Sequence, residues 1–162
     1  MRAGQGIMLA ALLAGLAGCG GKKQLPHEGK SVAELQRMLD TDDPAVQAHG
    51  ALGLSQYGTE ASSAVPRLTE LLASSDALVR QNAAVALGKA GEEAQSAVPA
   101  LVRCLSDSEW TVRRVAALAL GEIGPAARDA LPALQKLQRD PEKPVSNAAR
   151  EAIRKVKPST KR

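Results

Sequence analysis

Two runs decide the fold: residues 76–91, DALVRQNAAVALGKAG, and residues 109–124, EWTVRRVAALALGEIG. They lie 33 residues apart and align without a gap, each with a valine-arginine pair, paired alanines, Ala-Leu-Gly and a closing glycine. Carried outward, the same period divides residues 32–157 into units 32–64, 65–97, 98–130 and a shorter 131–157. Val46, Val79, Val112 and Val145 share one register, and Leu54, Leu87, Leu120 and Ile153 another. Gly58, Gly91 and Gly124 share a third. A fixed period of this length is the mark of a repeat architecture.

Each unit reads as two helices. The first opens at Val65-Pro66, Val98-Pro99 or Leu131-Pro132, because proline suits the first turn, where its missing N–H is not needed. Ala33 takes that place in the first unit. Apolar residues at 32, 35, 38 and 39 and their equivalents fall on one helical face. A polar turn follows, in which Asp43 before Pro44 is placed to cap the second helix. That longer helix is expected to run to Gly58, Gly91 or Gly124, where glycine adopts a left-handed cap. One helix pair cannot bury its own apolar face, so the copies must stack. The expected fold is all-α, a short α-solenoid of about four two-helix repeats. Composition agrees: 44% of residues are hydrophobic, yet Trp110 and Tyr57 are the only aromatics. A core of Ala, Val and Leu suits helices that approach closely.

The period alone also admits ankyrin or TPR units, but neither the ankyrin TPLHxA signature nor the TPR pattern of Trp, Leu-Gly and Tyr is present. The runs 76–91 and 109–124 resemble HEAT-like repeats of the short bacterial type, and the resemblance extends over residues 32–157. It implies a non-catalytic binding scaffold. It also implies that Arg80 and Arg113 are structural and bridge neighbouring repeats, although Asp76 and Glu109, four residues before them, offer intrahelical pairs. The fourth unit departs from the pattern: Arg150, Glu151, Arg154 and Lys157 stand where the third has Ala117, Leu118, Gly121 and Gly124. This reads as a polar capping helix, which terminal repeats need for solubility.

The N-terminus reads as an export signal. Arg2 precedes an uncharged ten-residue stretch, residues 7–16, IMLAALLAGL, about half the ~20 residues that a helix needs to cross a bilayer. Leu16-Ala17-Gly18-Cys19 follows and resembles the lipobox of bacterial lipoproteins. The resemblance implies removal of residues 1–18, diacylglycerol on the Cys19 thiol, and a chain tethered to the membrane. Gly20, in place of the aspartate that marks inner-membrane retention, favours the outer membrane of a Gram-negative cell. Residues 19–31 then form the lipidated cysteine and a flexible linker, in which His27 is expected to be solvated, and residues 158–162 form a basic tail.

Charge and side-chain chemistry narrow the function. A formal charge of +4 with mixed signs is ordinary solubility and gives no ground for nucleic-acid binding. Cys104 shares its register with Met38, Leu71 and Leu137, so it is expected to be a buried core thiol. His49 has no Cys, His or carboxylate cluster at ligand spacing, so no metal site, cofactor or small-molecule substrate is expected. No nucleophile–base pair is visible.

One register breaks the expected polarity. With Val46, Gly50, Leu54 and Tyr57 taken as the core side of the second helix, position 52, flanked by 48, 55 and 56, lies opposite. There the repeats carry Leu52, Val85 and Leu118. They form either an apolar ridge on the inner face or lateral packing between adjacent second helices. Gln81, Arg114 and an exposed Trp110 complete the candidate partner-binding set. Two functions remain: a scaffold that binds another protein through its inner face, or a structural or assembly lipoprotein of the cell envelope whose repeats act as a spacer. An enzyme similar to the phycobilin lyases ranks behind both.

Overall fold

A computed structural model describes residues 25–157. The described chain is all-α, with four pairs of antiparallel helices. The first helices are α1 (Val32–Leu39), α3 (Val65–Leu71), α5 (Val98–Cys104) and α7 (Leu131–Leu137). The second are α2 (Pro44–Leu54), α4 (Ala77–Ala90), α6 (Trp110–Ile123) and α8 (Lys143–Val156). Three 3₁₀ segments, Gly58–Ala64, Gly91–Ala97 and Gly124–Ala130, join successive units. The two-helix reading lacked these connectors. They explain why α3, α5 and α7 start without a side-chain cap: the preceding 3₁₀ turns lead straight into them.

Local chemistry sets the helix ends. Ser31 and Glu34 form a capping box that starts α1. The Asp43 carboxylate accepts the Ala45 amide at 2.8 Å, and Asp76 accepts the amides of Leu78 and Val79. Gly91 follows α4 with φ 62° and ψ −136°, and Gly124 follows α6 with φ 72° and ψ −141°. The positive φ is as expected, but the ψ lies outside the left-handed helical region, in a zone that is essentially glycine-only. The first repeat differs: α2 stops at Leu54, short of the glycine, so Gly58 begins its 3₁₀ segment without directly following the helix as Gly91 and Gly124 do.

The second helices pack directly on one another along the stack. Ala83, Ala84, Ala116, Ala117 and Ala149 are fully buried between them, and Gly88 and Gly121 bring the backbones closer still. A Cβ on Gly88 would stand 2.9 Å from the Ala119 Cα, and one on Gly121 would stand 3.0 Å from the Ala152 Cα. Arg154 occupies the equivalent place on α8, which no further helix follows among the described residues. The first helices close the other layer. Leu35, Leu68, Leu101 and Leu134 sit at 33-residue intervals, each at 0–1% exposure, and meet Val79, Val112 and Val145 at 0%. Each such leucine contributes about 1.5–3 kcal/mol by leaving water. Val46, in the same register as these valines, is only half-buried, and among the described residues no repeat stacks on its N-terminal side. Cys104 is buried in the core as a free thiol, and burial pushes its pKa up.

Candidate protein-binding groove

Arginine ladders lock the repeats in register. Arg80 on α4 donates from Nε and Nη2 to both carboxylate oxygens of Asp107, each at 2.8 Å, and from Nη1 to the carbonyls of Ser74 and Ser75. Arg113 repeats the arrangement with Asp140, at 2.8 and 3.2 Å, and with the carbonyls of Asp107 and Ser108. These are the bridges between repeats that the HEAT resemblance implies. The intrahelical pairs with Asp76 and Glu109 do not form: Asp76 caps α4, and the Arg113 guanidinium is taken up by Asp140 and the two carbonyls. Asp107 and Asp140 also accept the amides of Glu109 and Glu142, so each aspartate joins a bridge to a helix start. Burial raises the Asp107 pKa, but the Arg80 and Glu109 hydrogen bonds outweigh it and hold the carboxyl below its ordinary value. The Arg113 bond does the same for Asp140.

This frame sets α4, α6 and α8 side by side, and their shared face forms an open groove of about 1160 Å³. Val85 and Leu118, with Gly88, Ala119 and Ala148, give it an apolar floor. Both are partly buried and pack against the core while still facing the groove, so the two readings of the ridge each hold in part. Position 48, placed on the outer side by sequence, is in fact core, with Ala48 2% exposed. Arg114 also lines the groove. Leu52 and Gln81 are half-buried and stand outside it, and so does Trp110, 41% exposed at the start of α6. Cys19 lies outside the described residues.

Of the rim, sequence reasoning names only Arg114 as a candidate contact. Seven charged residues line the groove, and five are cations: Lys89, Arg114, Lys143, Arg150 and Arg154. None of the five forms an ion pair among the described residues. The two carboxylates, Glu122 and Glu151, both bind the Lys155 ammonium, at 2.6 and 3.0 Å. The signal lies in the fourth repeat, where the same Arg150 and Arg154 also fit a polar capping helix.

At the other end, His27 is not solvated. It is 4% exposed, lies against Gly53, and its ring stacks on His49 with centroids 5.7 Å apart. Among the described residues, no three His, Cys, Asp or Glu side chains gather to hold a metal ion.

A family model for HEAT repeats matches residues 8–88 and 65–154. The chain belongs to the HEAT repeat family. Solved structures similar to this HEAT protein include an engineered protein at 30% identity and TM-score 0.67, covering 77% of this chain and 62% of that one. A designed armadillo repeat protein in complex with the peptide (KR)4 is 20% identical, TM-score 0.68, with 78% and 64% coverage. Human deoxyhypusine hydroxylase in complex with glycerol is 30% identical, TM-score 0.60, with 80% and 44% coverage. The HEAT chain thus spans less than two thirds of the length of each of these structures. No curated protein sequence matches it significantly.

Proposed function

We propose that this HEAT protein is a membrane-tethered lipoprotein that acts as a non-catalytic scaffold, holding a protein partner in the groove across α4, α6 and α8. One observation carries this reading: an apolar floor of Val85 and Leu118 lies inside a charged rim on a rigid, repeat-built face. Desolvated apolar centres with polar rims are the usual anatomy of protein interfaces. The (KR)4 complex of the designed armadillo protein is a precedent for peptide capture on a related fold. The Leu16-Ala17-Gly18-Cys19 motif supports a lipid tether, and Gly20 favours the outer membrane.

The human hydroxylase demonstrates that this architecture also hosts enzymes. Here the groove offers mostly cations, and its two carboxylates are already engaged by Lys155. That favours binding over chemistry.

The test is quantitative co-purification from crosslinked cells, comparing wild type with Val85→Gln/Leu118→Gln. A folded variant that loses its partner by tenfold or more supports the groove. A folded variant that recovers the same partner at wild-type yield overturns it.

A further inference from the structure

The floor explains that something binds; the rim specifies what. Lys143 and Arg154 lie 11 residues apart on α8, which is about 16 Å along a helix at 1.5 Å per residue. Arg150 lies on the same helix, Arg114 in the second turn of α6 and Lys89 in the last turn of α4. The cations are therefore distributed over three helices and do not converge on one point. A single phosphate or headgroup touches one or two of them; an extended chain with several negative charges can meet them all. The internal ion pairing sharpens the sign. Glu122 and Glu151, the only acids among the described residues that line the groove, share Lys155, which offsets one of their two charges; with five unpaired cations beside them, the net field is positive. Between the charges, Val85 and Leu118 have no use for a headgroup but fit an apolar side chain.

Resting on the proposed binding function, we propose that the groove recognises an acidic, extended peptide segment of a partner protein, with an apolar residue between its carboxylates. Three second helices at ~8–10 Å spacing span roughly 16–20 Å, the length of about five or six extended residues. Residues 1–24 and 158–162 do not have the charge for this role. Lys22, Lys23, Lys161 and Arg162 give the flanking segments the same sign as the rim. Like charges are rejected and acids attracted, so the rim also sets the encounter rate and its salt dependence.

The experiment uses the full chain in nonionic detergent micelles and fluorescence anisotropy with three probes. These are an octapeptide of Asp and Glu carrying one central Leu, the same peptide with the Leu replaced by Ser, and (KR)4. The leucine-bearing acidic peptide should bind at least tenfold more tightly than (KR)4. It should weaken at least threefold on Leu-to-Ser exchange, and at least tenfold between 50 and 300 mM salt. Arg114→Glu/Arg150→Glu, at two exposed positions outside every ion pair among the described residues, should weaken it at least tenfold. Arg128→Glu/Lys136→Glu, also exposed but outside the groove, should leave it within twofold. A shared melting temperature verifies that the variants fold.

Equal affinity for (KR)4, or equal losses in both charge-reversal variants, overturns the acidic-peptide assignment. Displacement of the peptide by phosphatidylglycerol in the micelles, at no more than the peptide's own concentration, reassigns the rim to lipid and also overturns it. A dimer that dissociates on Arg114→Glu/Arg150→Glu makes a second copy the occupant and overturns it likewise. The parent reading fails separately, when Val85→Gln/Leu118→Gln keeps its cellular partner.

Discussion

The Arg80 guanidinium spans two repeats to grip the Asp107 carboxylate 27 residues on, through two bonds of 2.8 Å. Both side chains are nearly buried, at 13% and 10% exposure, so the pair is costly to break from one side. Arg80→Met strands the Asp107 charge and should destabilise the fold by about 2–3 kcal/mol. Asp107→Asn should cost a similar amount. In a double-mutant cycle read by urea unfolding, the two should couple by more than ~1 kcal/mol. Additive losses would mean that the pair does not act as a unit.

The depressed pKa values of Asp107 and Asp140 give the same bridges a pH signature. A carboxyl whose folded pKa lies below its unfolded value, about 3.9, stabilises above that value. The contribution is lost as pH falls through the folded pKa. Wild type should therefore lose stability as pH falls below about 4. Asp107→Asn/Asp140→Asn should be weaker at pH 7 and should fall less steeply on acidification. Parallel pH profiles for the two proteins would contradict this.

Much of this frame was legible beforehand, for a physical reason. The period fixed the registers, and the residues of the valine and leucine registers inside the stack became core without exception. The bridging role of Arg80 and Arg113 follows from the HEAT resemblance, but their partners Asp107 and Asp140 emerge only from the structure. Slots 47, 80 and 113 hold Gln, Arg and Arg, while their partner slots 74, 107 and 140 hold Ser, Asp and Asp. Charge occupies both members of a pair or neither. What was not legible depends on three-dimensional neighbours: the 3₁₀ connectors, the burial of His27 against Gly53, and the assembly of Lys89, Arg114, Lys143 and Arg150 from three helices. Helical phase alone also misjudges position 48, because a stacked second helix buries the flank that meets its neighbour as well as its core side.

Two glycines separate backbone strain from crowding. A Cβ on Gly91 meets nothing within 4 Å, so only the backbone conformation resists substitution. Gly91→Ala should cost about 1–2 kcal/mol. Gly88 is helical, where alanine is favoured by about 1 kcal/mol, but its Cβ would press on the Ala119 backbone at 2.9 Å. Gly88→Ala should still destabilise, by at least ~1 kcal/mol. At the equivalent position on α8, Arg154→Gly should lose about 1 kcal/mol from helix propensity alone. Thermal unfolding of the three variants reads these differences, and a stabilised Gly88→Ala would refute close packing of α4 on α6.

The tether has its own test. Wild-type protein should incorporate labelled fatty acid and partition into detergent, while Cys19→Ser should do neither. Labelling that survives the substitution would remove the lipoprotein assignment and leave the groove untouched.

The most direct test of the central claim is site-specific photo-crosslinking in living cells. A photoreactive residue replaces Asn147 in the groove or, as control, Gln135 on α7 outside it. A discrete polypeptide adduct from position 147, absent from position 135 and lost when Val85→Gln/Leu118→Gln is added, is the predicted result. Adducts of equal yield from both positions, or an adduct at 147 indifferent to the floor substitutions, would contradict a partner-binding groove.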